Sequence, residues 1–201
     1  MKNLKKSILI IFAILFVDQA TKLWIKTHMY LGQEHQILGD WFIIHFTENN
    51  GMAFGLELEW IYGKLFLSVF RIAALFGIGW YLWSIINKGA HKGFVVCLSL
   101  IFAGALGNII DSAFYGMIFS DSTYQLATLF PEEGGYGGFL YGRVVDMLYF
   151  PIIKGQFPAW FPLWSSEPFI FFRPVFNIAD SAISIGIFII ILFQKQFFKE
   201  D

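Results

Sequence analysis

Apolar residues dominate four stretches of the chain, at about residues 7–25, 65–86, 93–119 and 176–193. A bilayer's hydrocarbon core takes about 20 helical residues at ~1.5 Å rise each, and each stretch is of that order. The pattern therefore predicts an all-α membrane protein of four transmembrane helices. Two long connections, 26–64 and 120–175, carry the turn-forming and interfacial residues. The first holds the β-branched and aromatic run 41–47, then Glu48, Asn49, Asn50 and Gly51, then the run 52–56, which predicts a small β-hairpin closed at an Asn-Gly turn. The second has a polar, glycine-rich half around 131–138. Its other half, with Trp160, Phe161, Trp164, Phe169, Phe171 and Phe172, suits an amphipathic segment lying in the membrane interface. With no internal repeat or low-complexity tract, residues 1–201 read as one membrane-embedded domain.

Composition sharpens this picture. Of 201 residues 57% are hydrophobic, 20% aromatic and 14% charged, and 25 are Phe. Soluble domains run at roughly 45–50% apolar and 25% charged. The 14 Lys and Arg balance 15 Asp and Glu, which leaves no basic surface for a nucleic acid. The lone Cys97 lies in an apolar run and can form no intrachain disulfide.

The positive charges set an orientation. Lys2, Lys5 and Lys6, then Lys88 and Lys92 with His91, then Lys195 and Lys199 all fall on one side of a four-pass arrangement, so both termini are expected in the cytoplasm and both long connections outside. The first span resembles a signal peptide in its basic start. Asp18 and Gln19, however, stand where small residues should precede cleavage, and the helical pattern continues past them.

An ionisable residue inside a span costs roughly 2.5–3.5 kcal/mol on insertion scales, so each needs a reason. Asp18, Asp111 and Asp180 lie in spans, about 6–12 Å from the outer boundary at ~1.5 Å per residue. Asp146 ends a strand-like run, 142–145, on the same side. In span three Gly104, Asn108, Asp111 and Tyr115 share a helical face, and in span four Asn177, Asp180, Ser181 and Ser184 do so after Pro174, a residue suited to opening a helix. Two Asn-x-x-Asp stripes thus point inward. One such acid alone is often only hydrogen-bonded to neighbouring helices, but four at one depth ask for chemistry. Arg71 reads as a structural or snorkelling residue. The four histidines lack metal spacing, and neither a G-x-S-x-G elbow nor a base for Cys97 is present.

Two close carboxylates form a complete device for hydrolysing an amide: one keeps a proton and polarises the carbonyl, while the other takes a proton from water. Intramembrane aspartates serve equally as relays in proton- or cation-coupled transporters. Periodicity does not choose between the two.

The motifs do. DQATK at 18–22, ENNGMAFG at 48–55, GALGNIID at 104–111, GRVVDM at 142–147 and FNIADSAISIG at 176–186 resemble, in order and over essentially the whole chain, the lipoprotein signal peptidase (signal peptidase II) family. The resemblance implies an aspartyl endopeptidase of the bacterial cytoplasmic membrane. Such an enzyme removes the signal peptide from prolipoproteins just before a diacylglyceryl-modified cysteine, uses no metal or organic cofactor, and is inhibited by cyclic peptides of the globomycin type. It also implies Asp146 and Asp180 as the catalytic pair, with Asp18, Asn49, Asn108, Asp111 and Asn177 in support. The chain departs from the family at Ser112, where an arginine commonly stands, and in a second connection that is long for it.

Overall fold

The computed structural model describes residues 2–51, 62–160, 162 and 164–198. Within them four helices are long and apolar enough to cross a membrane: α1 (Lys2–His28), α2 (Gly63–Asn87), α3 (Lys92–Ile110) and α4 (Ile178–Phe197). α3 runs on through a π-helical turn, Asp111–Tyr115, and a last helical turn, Gly116–Ile118. The expected spans thus hold to within about a turn and a half at each end.

α3 is the axis of the bundle. Of its apolar window 56% is buried, against 17%, 11% and 17% for α1, α2 and α4, so the other three helices surround it. Their outer faces expose Leu9, Phe12 and Phe16, Phe70, Phe76 and Trp80, and Phe188 and Ile191, the side chains that lipid accepts. Because lipid tails are as apolar as leucine, close helix contact depends on small residues. Gly104 of α3 lies against the Ala179 carbonyl of α4, and a Cβ there would sit 2.7 Å from Ile183 Cγ1. One on Gly186 of α4 would sit 2.8 Å from the Cys97 carbonyl oxygen.

At one end of the bundle lies a four-stranded antiparallel sheet in the order β1 (Glu34–Leu38), β2 (Phe42–Asn49), β3 (Val144–Tyr149), β6 (Val175–Phe176). A separate hairpin joins β4 (Ile153–Gln156) to β5 (Pro168–Phe171). Of the expected aromatic segment, Phe161 lies outside the described residues, and the rest is built around this hairpin, with Ile152, Ile153, Trp160 and Phe171 exposed.

Three expectations change. The run 41–47 is a strand, but its hairpin closes with the preceding segment, where Gly39 at φ +53° lies between β1 and β2, and its other edge takes β3. The expected return arm 52–56 lies outside the described residues. Asp146 does not end a strand. The apolar run carries on through Met147 and Leu148, so the acid sits mid-strand opposite Thr47. Pro174 does not open the last helix, because Val175 and Phe176 first pair with β3. Asn177 then caps the helix in an extended conformation (φ −122°, ψ −178°).

Replacing Gly104 by Ala drives a methyl into a backbone carbonyl that moves only if α4 moves, an overpacking cost of about 1–3 kcal/mol. Gly104→Ala is expected to lower the Tm in detergent, and Gly77→Ala, with nothing within 4 Å of the new methyl, is expected to leave it unchanged.

Candidate active site

The polar residues of the spans meet where α1, α3 and α4 reach the sheet. Lys22 of α1 is fully buried, and its ammonium has three donors to place. It places them on Asp18 Oδ2 (2.9 Å), Asp111 Oδ2 (2.7 Å) and Asn108 Oδ1 (3.0 Å). Asp18 and Lys22 are one turn apart on α1, and Asn108 and Asp111 occupy one face of α3, so helical spacing alone brings each pair to the cation.

Each acid then reaches a backbone. Asp18 Oδ1 accepts the Ala179 N–H (2.9 Å) while Asn177 Oδ1 accepts the Asp180 N–H (2.8 Å), which satisfies two otherwise unpartnered donors at the start of α4. The negative charge of Asp18 also suits the positive end of that helix. Asp111 Oδ1 takes a hydrogen bond from Gln19 (2.9 Å), and Oδ2 accepts the Val145 N–H (3.3 Å), beside Asp146. Asp18 and Asp111 thus hold in place the two elements that carry Asp180 and Asp146.

Asp146 and Asp180 line one cavity of about 730 Å³ together with Asn49, Asn108, Arg71 and Ser184. Three amides aim at the two carboxylates. Asn108 Oδ1 is claimed by Lys22 and by Asn177 Nδ2 (3.1 Å), so Asn108 Nδ2 turns to Asp180 Oδ1 (2.7 Å). Asn177 Oδ1 is claimed by a helix N–H, so its Nδ2 reaches Asp146 Oδ1 (2.8 Å). Asn49 Oδ1 accepts the Gly51 N–H (2.6 Å), so its Nδ2 donates to Asp146 Oδ2. In each case a partner of fixed polarity decides which end of the amide faces the acid.

Burial, and next the charge of Asp180, push the Asp146 carboxyl up to about 7, against the downward pull of Asn49, Lys22 and Asn177. At neutral pH such a group is divided between its protonated and ionised forms. It can donate to an oxygen in one and take a proton from water in the other.

All seven residues singled out in the sequence converge here, but they form two layers: Asp146, Asp180, Asn49 and Asn108 at the cavity, and Asp18 and Asp111 behind, with Asn177 bridging. Asn177 is a helix cap and not part of a helical stripe, since its own oxygen must turn back onto α4. Sequence reasoning passed over Lys22 and Gln19. The signal was a lysine one turn after an acid inside an apolar span, too deep to reach water. A turn further on, Lys26 is also buried, paired with Glu48 and Ser122 Oγ (2.7 Å), and Arg143 joins Glu48 (3.3 Å) to Asp121 (3.0 Å). Glu48 and Arg143 fasten the end of β2 to the start of β3. At Ser112 the hydroxyl merely bonds the Asn108 carbonyl (3.0 Å), and the cation beside Asp111 is supplied by Lys22.

Fold and site together define a polytopic membrane protein with a paired-carboxylate site in a cavity at the sheet end of its bundle. Comparison with known proteins narrows this class: the model of the family described as signal peptidase (SPase) II matches residues 10–196, and the chain belongs to that family. The lipoprotein signal peptidase of Porphyromonas gingivalis is 54% identical over 184 residues, which cover 91% of this chain and 80% of that one. That of Amoebophilus asiaticus is 38% identical over 182 residues, 89% of this chain and 73% of its own. Two solved structures described as bacterial membrane enzymes align with TM-scores of 0.62 and 0.60 at 29% and 28% identity, over 98% of this chain and 93% and 95% of theirs. The protein is accordingly a protease and a multi-pass membrane protein, and the transporter reading has no support.

Lys22→Met leaves Asp18 and Asp111 buried without their cation, a loss of about 3–5 kcal/mol for a broken buried pair. It is expected to lower the Tm sharply. Adding Asp18→Asn and Asp111→Asn to it is expected to recover part of the loss, and thermal unfolding in detergent measures both.

Proposed function

We propose that the protein removes signal peptides from diacylglyceryl-modified prolipoproteins as an intramembrane aspartyl endopeptidase, with Asp146 and Asp180 as its catalytic pair. The family carries the substrate class, prolipoproteins. The observation that carries the catalytic type is that these two carboxylates, on different elements, face one cavity under amide donors of fixed polarity.

With one proton on the pair, the ionised carboxylate takes a proton from a water molecule as that water attacks the scissile carbonyl. The protonated carboxyl donates to the carbonyl oxygen as charge develops there. Collapse of the tetrahedral intermediate breaks the C–N bond as a proton passes to the leaving nitrogen, and the pair returns to its singly protonated form. Asn49, Asn108 and Asn177 hold the carboxylates in register, and Asp18 and Asp111 hold the elements that bear them. No metal or organic cofactor enters this scheme.

The cavity lies at the sheet end of the bundle, away from the start of α1 and the end of α4. With the lysines on the cytoplasmic side, that end faces outward across the bacterial inner membrane, where a substrate anchored by its diacylglyceryl cysteine enters sideways from the outer leaflet. Cyclic peptides of the globomycin type compete for the same cavity. Residues 1–201 act as one peptidase domain.

The purified protein is expected to cut a diacylglyceryl-modified prolipoprotein and to spare the unmodified form. Asp146→Asn and Asp180→Asn should each abolish cleavage while remaining folded, and the double mutant should be scarcely worse than either, as expected of groups sharing one step. Asp18→Asn and Asp111→Asn should keep partial activity or lose it through a lower Tm, and Asn49→Ala should turn over slowly. Because Asp146 titrates about pH 7, one limb of the pH–rate profile should fall near neutrality. Full cleavage by Asp146→Asn or Asp180→Asn refutes the pair, and complete loss in well-folded Asp111→Asn moves the chemistry to span three.

A further inference from the structure

Arg71 sits two turns into α2, between lipid-facing neighbours such as Phe70, yet it is half-buried and lines the cavity. Its guanidinium Nη2 donates to the Gly51 carbonyl oxygen. Gly51 adopts φ +97°, and a Cβ there would fall 2.5 Å from Arg71 Nη1, so the guanidinium packs flush against a backbone that only glycine supplies without strain. The N–H of the same residue claims Asn49 Oδ1, which leaves Asn49 Nδ2 for Asp146. Lys64, also from α2, donates to Asn50 Oδ1 (2.8 Å). Helix α2 therefore grips both residues that follow Asn49.

We infer that Arg71 is a positioning residue for the reaction: by holding the Gly51 carbonyl it fixes the turn whose N–H aims the Asn49 amide at Asp146. This rests on the proposed role of Asp146. A glycine in that region of φ has wide conformational freedom, and without the guanidinium its N–H loses the direction that decides which end of Asn49 meets the acid. Charged groups around Asp146 are Asp180 on α4, Lys22 on α1, Asp111 at the end of α3, Glu48 on β2, and Arg71 and Arg173 across the cavity. Arg71 is separated from the acid by two hydrogen-bonded residues, so its influence by this route must pass through Asn49. Its charge could act separately, on Asp180.

A double-mutant cycle distinguishes the two routes. Rates of cleavage of diacylglyceryl-modified prolipoprotein are measured against pH for the wild type, Arg71→Met, Asn49→Ala and the double variant, with Asp146→Asn as control. Arg71→Met is expected to lower kcat about tenfold, the worth of a hydrogen bond to a charged group, with KM changed less than about twofold. The profile should move to higher pH, because ionised Asp146 has lost a donor. In the Asn49→Ala background the Arg71 substitution should change neither kcat nor the profile further. Where Arg71→Met does not fold, Arg71→Lys keeps the charge but not the paired donors. It should give a smaller shift, again absent when Asn49 is Ala. A wild-type profile in the single variant, or effects that multiply in the double, overturn the inference. Activity in Asp146→Asn defeats the catalytic pair instead.

Discussion

One buried ammonium, that of Lys22, organises the site. It sits where three helices approach the sheet, and it makes the burial of Asp18 and Asp111 tolerable. Removing charges from water costs several kcal/mol per ion, and only good geometry with further hydrogen bonds offsets that cost. Here every atom of the cluster has a second use. Asp18 extends to the start of α4 and Asp111 to the backbone of β3, and Asn108, once its oxygen is taken by the cation, presents its nitrogen to Asp180. The arrangement behind the carboxylates follows from satisfying one lysine.

The cavity illustrates a division of labour among polar residues in an apolar bundle. Carboxylates matched to a cation hold helices and strand together. The two without a dedicated cation, Asp146 and Asp180, are turned instead toward the cavity and toward neutral amides. A neutral amide donor orients a carboxylate without cancelling its charge, whereas a cation both orients and neutralises it. The small residues of α3 complete the design. A Cβ on Gly107 would lie 2.8 Å from Asp18 Oδ2 and 3.2 Å from the Ala179 Cβ, so α1, α3 and α4 meet closely enough for these short side chains to touch.

Much of this was legible in the sequence, and the rest was hidden for physical reasons. The spans were visible because lipid imposes a length and a hydropathy on each, and the acids because a charge in a span is expensive. The pairing of β2 with β3 was not visible, since Asn49 and Asp146 are brought together across nearly half the chain and no local pattern encodes that register. Asn177 read as part of a helical stripe because a cap and a first-turn residue share the same spacing to Asp180. Lys22 was overlooked because a lysine near the end of a span ordinarily snorkels to water, and only the tertiary position of Asp111 shows that it does not.

The central claim is that Asp146 and Asp180 share a proton at neutral pH. Infrared difference spectroscopy of the purified protein with isotope-labelled aspartate, titrated from acid to alkaline pH, reads that proton as a protonated-carboxyl stretch. The account predicts a band that persists through neutral pH, is lost in Asp146→Asn combined with Asp180→Asn, and survives Asp111→Asn. A wild-type protein with every aspartate ionised by pH 5, or a band lost only in Asp111→Asn, would contradict it.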